Sequence, residues 1–555
     1  MKKKNYGYIL LPLFLSLGII GGLFIGRYSS EQRLSPGEEK LRTVLGMIQE
    51  QYVDPINIDS LINESIPDLL ASLDPHSAYI PAESLTIAND DLEGSFGGIG
   101  VAFQVLNDTV TVVEVITGGP AEKVGILPGD LILEANGKKL TGEKISSEEV
   151  FKTLRGKEGT QVKTLVKRRS AKTPLTFDIV RGQIPSNSVD AAYMLTDDTG
   201  YVKVSKFART TYSEFYTALT RLQTEGAKKY IVDLRGNSGG FMDQAIYMAN
   251  EFLPAGRGIV FTKGRIAENQ TVATSDGTGQ FQNVPLTVIT NEFSASASEI
   301  FAGAIQDNDR GLVIGRRTFG KGLVQTTRPL PYGGVLKVTV AKYYTPSGRL
   351  IQSLDYKHRN PDGSAARVPD SLTHAYKTLH GRTIRDGGGL QPDSTVNWKK
   401  VNRLVYNVVS DNWSWDFANK FKATHSTIPT ADKFVITDSV YNEFKAFIDP
   451  KKFKYDSAME EATEALRKVA DEEGYINDET TAAFDSLKKL LTHNLDRDLD
   501  THRKHIEEYL GGEIVSRYYF DRGRTQYGIR DDEGVDAARG ILKDKALYKR
   551  ILSGK

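Results

Sequence analysis

The 555-residue chain contains no cysteine, which excludes disulfides, thiolate zinc sites and a cysteine nucleophile. That absence fits any redox compartment. Histidine is scarce, with eight in all and none between His76 and His358. A serine nucleophile in that interval points to a lysine base rather than a nearby histidine. Neither sign of charge dominates: the net charge of +1 leaves no basic footprint, so nucleic acid is a poor partner. There is no His-Glu-x-x-His pair and no Walker-type phosphate loop. Paired carboxylates such as Asp90-Asp91 and Asp197-Asp198 read as solvated loops. Neither a metal nor a cofactor is implied. A hydrophobic share of 39% with 25% charged residues is globular, and the length allows several domains.

One long apolar run is present, at the N-terminus. Met1-Lys2-Lys3-Lys4 precedes an uncharged stretch that Arg27 ends, and its apolar part, Tyr6 to Gly26, has the length of a membrane-spanning helix. No Ala-x-Ala cleavage site and no lipid-accepting cysteine accompany it. The lysines mark the cytoplasmic end. The reading is an uncleaved single-pass anchor at 7–26 behind a cytoplasmic tail at 1–6, with the body outside the cytoplasm. A cleaved signal peptide keeps the compartment and frees the protein.

A polar tether is expected over 27–40 and a helical region over 41–82, with Leu41, Val44, Leu45, Ile48 and Tyr52 at helical spacing. A second helix is expected from Ser60 to Ser72, stopped by Pro75. A compact β-rich unit follows at 83–182. Its elements include strands at Ile99–Val105 and Val110–Ile116, a short helix with a glycine stop at Gly118–Ile126, and a helix at Ser147–Leu154. From 183 to 395 strands and helices alternate, which argues for an α/β layer. Residues 396–555 are polar and charge-rich, helical in pattern, and expected to form a separate domain. Stretches such as Lys451–Lys454 and Asp471–Glu473 read as solvated faces or interaction surfaces.

Two segments of the α/β region carry candidate chemistry. Ser296 lies between the apolar strand Val284–Thr290 and a run of good helix formers. The first amides of a helix are unpaired and partly positive, so the Ala297 N–H could serve a developing oxyanion. Spacing alone favours helix capping, since Ser294, Ser296 and Ser298 are all available. Lys321 lies in Thr318-Phe319-Gly320-Lys321-Gly322-Leu323, where an apolar setting would favour the neutral amine. Its ordinary alternative is a surface lysine in a glycine turn. In a strand, Gln325 would share a face with Lys321 and hold its amine. Ser238 competes as nucleophile, because Gly236-Asn237-Ser238-Gly239-Gly240 satisfies G-x-S-x-G between a strand and a helix. It then needs a later histidine such as His358 or His374. The same loop also reads as backbone N–H groups facing an oxyanion. Finally, Gly97-Gly98-Ile99-Gly100-Val101 opens a strand in a way that can hold a peptide's terminal carboxylate.

Taken in order, these segments resemble the C-terminal processing peptidases, or tail-specific proteases. The matching runs are Leu73–Ser77, Gly97–Val101, Gly119-Pro120-Ala121, Pro128-Gly129-Asp130, Asp233–Gly240, Ser294–Glu299, Thr318–Gln325 and Gly389–Asp393, covering roughly residues 40 to 395. The resemblance implies an α/β (α+β) protease core of crotonase-like layering with an inserted PDZ domain. It implies a Ser296 nucleophile, a Lys321 general base and support from Gln325. It also implies an oxyanion hole at Gly239, Gly240 and Ala297, which demotes Ser238 to a loop residue. Gly98, Ile99, Gly100 and Val101 would bind a substrate's free C-terminus, and Arg181 resembles a position coupling PDZ state to the core. The expected function is an envelope serine endopeptidase acting on proteins with exposed apolar C-termini, in the bacterial inner membrane with its body in the periplasm. An adaptor or activating protein and self-association stay open as partners. A non-catalytic PDZ scaffold and a Ser–His–Asp hydrolase using Ser238 stay open as alternatives.

Overall fold

The computed structural model describes residues 35–555 apart from 86–91, 107, 117, 143–144, 169, 361–364, 399–400, 455–457 and 555. The apolar run at 7–26 lies outside the described residues. Among those described, no helix is long and apolar enough to cross a membrane. The chain divides into two compact units, 1–79 and 80–555.

In the first unit, helix α1 (Pro36–Gln51) begins inside the expected tether. A capping box starts it early: Ser35 N–H donates to Glu38 Oε2 at 2.6 Å and Glu38 N–H returns to Ser35 Oγ at 3.3 Å. Helix α2 (Ile58–Ala71) starts at Asn57, whose side chain accepts from Ser60 N–H. It stops before Pro75. The Asp74 carboxylate then organises the turn, accepting from the N–H groups of His76 and Ser77 and from the Ser77 hydroxyl.

The second unit opens with the β-rich domain. Strands β1 (Ser95–Gly98) and β7 (Gly182–Pro185) pair antiparallel and form its stem. Between them, β2 (Val101–Leu106), β3 (Thr109–Val115), β4 (Leu131–Ala135), β5 (Gln161–Lys167) and β6 (Leu175–Val180) lie in that order, so β2 is an edge strand. Helix α3 (Pro120–Val124) ends at Gly125, where a φ of 85° closes a left-handed cap. Helix α4 (Ser147–Leu154) buries Val150 and Leu154 against the core formed by Val110, Val112, Ile132 and Val162.

The expected alternation then appears as a six-stranded sheet. Its order is β8 (Val189–Thr196), β9 (Thr199–Val204), β10 (Lys229–Asp233), β13 (Leu286–Thr290), β14 (Leu312–Gly315) and β17 (Ser394–Thr395). Only the β8–β9 pair is antiparallel. Helices α5 (Thr211–Thr224), α6 (Met242–Asn250) and α7 (Ala297–Asp307) cover one face, with Phe215, Phe252, Phe281 and Phe301 fully buried. Each such side chain contributes roughly 1.5–3 kcal/mol by leaving water. A second set of strands goes beyond the expected alternation of strands and helices. Strands β11 (Gly258–Gly264), β12 (Thr271–Thr274), β15 (Leu323–Pro329) and β16 (Val335–Tyr344) pair antiparallel beside the sheet.

Residues beyond 396 serve two bodies. Helices α8 (Arg403–Ser410), α9 (Trp413–Thr424) and α10 (Asp438–Phe447) pack around α14 (Arg503–Gly528) with their own core, which includes Val405, Phe417, Phe444 and Leu510. Between them lie α11 (Ala458–Glu472), α12 (Asp478–Leu491) and α13 (Leu495–Thr501). The last helices, α15 (Glu533–Lys543) and α16 (Lys545–Leu552), belong to the sheet instead. Val535, Ala538, Ile541 and Leu542 seal its second face against Tyr201, Ile231, Ile289 and Ile314. These strand positions point away from α5–α7 because side chains alternate along each strand.

Candidate active site

Strand β13 is buried at every position and delivers the chain to Asn291–Ala295, after which α7 begins. Ser296 sits at that junction with φ 57° and ψ −114°, a conformation that L-residues rarely adopt. Such a geometry costs on the order of 1–3 kcal/mol and persists only where surroundings enforce it. Here they do. Ser296 N–H donates to Glu299 Oε2 at 2.9 Å. Its carbonyl accepts from the N–H groups of Glu299 and Ile300 and, at 3.1 Å, from the Tyr343 hydroxyl. Burial, then the Glu299 charge, holds Tyr343 well above the usual phenol range, so it remains a donor.

The three serines are no longer equivalent. Ser294 and Ser298 are fully buried, and their hydroxyls donate to the carbonyls of Leu234 and Asn237, each at 2.9 Å. Ser296 is the one that is partly exposed.

Lys321 is half-buried, and its backbone N–H donates to the same Glu299 Oε2 at 2.9 Å. The other oxygen accepts from Gly320 N–H at 2.8 Å and the Thr318 hydroxyl at 2.5 Å. One buried carboxylate therefore holds the backbone of both candidate residues. Burial pushes its carboxyl up to about 7, against the lowering by hydrogen bonds from Thr318, Lys321, Ser296 and Gly320. The lysine loop is also held from outside. Gly322 N–H donates to Gln352 Oε1, and the Ser353 hydroxyl donates to the Phe319 carbonyl. A Cβ on Gly320, whose φ is +86°, would lie 2.5 Å from Ser353 Cβ.

The glycine loop after β10 lies against Ser296. A Cβ on Gly239 would fall 2.7 Å from Ser296 Cβ and 2.8 Å from the Ala295 carbonyl oxygen, at a φ of +103°. The Gly239 N–H is already committed to Asn237 Oδ1 at 2.9 Å. Among the described residues, neither the Gly240 nor the Ala297 N–H meets a protein acceptor. Asn237 locks the loop, its carbonyl accepting from Ala295 N–H and its amide donating to the Val204 carbonyl. Gly239→Ala should lower proteolysis by about a hundredfold, since a methyl displaces Ser296 and the loop together. Near-parental turnover in a folded Gly239→Ala protein would contradict this packing.

Other sequence candidates fall differently. Lys321 precedes β15, which starts at Leu323, so strand alternation does not put Gln325 on its face. Gln325 Nε2 donates to Thr339 Oγ1 at 3.1 Å. Ser238 is exposed, and among the described residues no hydrogen bond joins it to a histidine. His374 lies with its side chain 79% exposed beside Asp386. Gly98, Ile99 and Gly100 are buried and Val101 opens the edge strand β2. The rings of Phe103 on β2 and Phe151 on α4 meet at 4.9 Å. The Arg181 guanidinium stays within its own domain, donating to the carbonyls of Thr153, Leu154 and Gln161. Arg209 makes a contact between the segment just before β1 and the core. It pairs with Glu93 at 2.9 Å and lies over the Phe241 ring at 4.4 Å, one residue after Gly240. Glu299 was missed, although Ser-x-x-Glu at a helix start is a readable capping-box signal.

Comparison with known proteins agrees with this layout. Residues 198–358 match the model of peptidase family S41, residues 97–179 that of a PDZ domain, and residues 404–542 that of a C-terminal helical domain described for probable PDZ-proteases. A carboxy-terminal-processing protease of Bartonella bacilliformis is 36% identical over 352 residues, covering 62% of this chain and 80% of that protein. A probable CtpA-like serine protease of Staphylococcus aureus is 31% identical over 439 residues, covering 77% of this chain and 84% of that protein. Among solved structures, a photosystem II D1 C-terminal processing protease aligns with TM-score 0.35 and 26% identity, over 64% of this chain and 86% of its own.

Proposed function

The chain belongs to peptidase family S41 as a carboxy-terminal-processing serine endopeptidase, and from that premise we propose that Ser296 is its nucleophile and Lys321 its general base. The observation that carries this assignment is the shared Glu299 oxygen, which ties the backbone of both residues to one point. Neutral Lys321 takes the Ser296 hydroxyl proton as Oγ attacks the scissile carbonyl carbon. The tetrahedral oxyanion is met by the N–H groups of Ala297 and Gly240, with Gly239 leaving the space. The Lys321 ammonium then protonates the leaving amine, and the C–N bond breaks. Water, deprotonated by the Lys321 amine, attacks the acyl carbon, and the Lys321 ammonium returns the proton to Ser296 Oγ as the ester C–O bond breaks. We assign the Gln325 amide oxygen to the Lys321 amine, since its Nε2 is committed to Thr339, although the two residues do not share a strand face.

The PDZ domain selects substrates with free, apolar C-termini. A peptide adds to the open edge of β2 beside α4, its carboxylate at Gly98–Val101 and its last side chain among Phe103 and Phe151. Crotonase-like layering of the core, an N-terminal anchor and a periplasmic body complete this reading.

The test is cleavage of a loosely folded protein with and without an apolar C-terminal tail, using residues 30–555. The tail should lower KM by about tenfold, the worth of one well-buried apolar side chain. Amidating the tail's carboxyl should reverse much of that gain. Equal KM for tailed and tailless substrates would refute C-terminal selection.

A further inference from the structure

Four charges meet beneath the oxyanion loop, and one comes from the far end of the chain. Asp233, at the end of β10, has no exposure. Burial would raise its pKa, yet the Arg235 and Lys203 charges and the hydrogen bonds from Arg235 hold it well below the usual carboxylate range. Arg235 donates to it from its backbone N–H at 2.9 Å and from Nη2 at 2.6 Å, with Nε bridging both oxygens. Lys203 donates to the Arg235 carbonyl at 2.5 Å and lies 3.3 Å from Asp233 Oδ1. The fourth charge is Asp532, 297 residues beyond Arg235, whose Oδ2 accepts from Arg235 Nη1 at 2.7 Å. Its Oδ1 accepts from Val535 N–H at 2.8 Å and so caps α15. Two cations are balanced by two carboxylates.

Arg235 is the residue on which the loop to Gly240 begins. The next N–H, of Gly236, donates to Asn291, and the Asn237 carbonyl receives Ala295 and Ser298. Gly534 allows α15 to come close, since a Cβ there would lie 2.9 Å from the Trp398 ring and 3.4 Å from Arg235 Nη1. The same Trp398 ring lies 5.6 Å from the Arg235 guanidinium.

We propose that Asp532 is a positioning residue for proteolysis: its ion pair with Arg235 couples the C-terminal helix α15 to the loop that presents the Gly240 N–H beside Ser296. This inference rests on the dyad and oxyanion site proposed above. Without the Asp532 charge, Arg235 and Lys203 face Asp233 with an excess cation in a mostly dry site, and Nη1 loses its acceptor. The guanidinium then turns toward water and carries the start of the loop with it. Oxyanion stabilisation depends on donor placement at sub-ångström precision, so the loss falls on turnover rather than on substrate binding.

Asp532→Asn separates the roles, because asparagine caps a helix as well as aspartate but carries no charge. It would be compared with the parent, Asp532→Glu and Ser296→Ala, all as residues 30–555. The expected result is a fall in kcat of about tenfold, a fraction of the 10²–10³ that removing a whole oxyanion donor costs. KM should stay within about twofold, labelling of Ser296 by a fluorophosphonate should slow in proportion to kcat, and Asp532→Glu should recover most of the loss. Unchanged kcat and labelling in Asp532→Asn, with Ser296→Ala inactive, would overturn the proposal. So would a loss that follows a lowered Tm and is not recovered by glutamate. Activity in Ser296→Ala would overturn the dyad itself, and the inference with it.

Discussion

Ser296→Ala and Lys321→Ala are each expected to reduce proteolysis on the order of 10⁴-fold or more, with the double variant no worse than either single one. Residues that act as one unit lose most of their joint effect when either is removed. Both substitutions should leave folding intact. Glu299 holds the backbone of each residue, so neither change takes a partner from its carboxylate. Ser238→Ala serves as the contrast. Ser238 is exposed in the glycine loop, and its removal should leave turnover within a few-fold of the parent. Steady-state cleavage and fluorophosphonate labelling of the variants decide the matter. Labelling that persists in Ser296→Ala and vanishes in Ser238→Ala would relocate the nucleophile.

Much of this arrangement can be read from local sequence. The core strands from Thr199 to Gly315 are short apolar runs separated by helical patterns, and α7 (Ala297–Asp307) occupies the run of good helix formers after Ser296. Ser296 stands out because it separates a fully apolar strand from a run of helix formers. Local reading fails where the partner is distant. Glu299 looks like half of a capping box, and only the return of Thr318–Gly322 over α7 makes it a four-donor acceptor. Strand β15, Leu-Val-Gln-Thr-Thr-Arg-Pro, has too few apolar residues to show a period of two. Helices α15 and α16 carry charge on one face and look solvated. Nothing local says that Val535, Ala538 and Ile541 complete a sheet laid down more than 200 residues earlier. Helix α1 is a different case, since its Ser-Pro-Gly-Glu start is a local capping signal that lies inside the expected tether.

Glu299→Gln should lower kcat by about 10²–10³ while leaving KM nearly unchanged, because it keeps the size of the side chain and removes half of its acceptor capacity. The amide nitrogen would face either the N–H pair of Ser296 and Lys321 or the donors from Gly320 and Thr318. Each buried donor left unmatched costs about 1–3 kcal/mol, so a lower Tm should accompany the lost turnover. The parent's pH dependence provides an independent check. The folded carboxyl titrates near 7 against an ordinary value of 4.5, so in that interval the folded protein holds a proton that the unfolded chain releases. Stability therefore falls as pH rises from about 4.5 to about 7 and levels off above it. Activity should run the other way, because only the ionised carboxylate accepts all four donors. Turnover rising through pH 7 while Tm falls below it is the expected pair of curves for the parent. Glu299→Gln should flatten the Tm limb, since glutamine has no proton to release. Parallel Tm–pH profiles for parent and Glu299→Gln would sink the role assigned to this carboxylate.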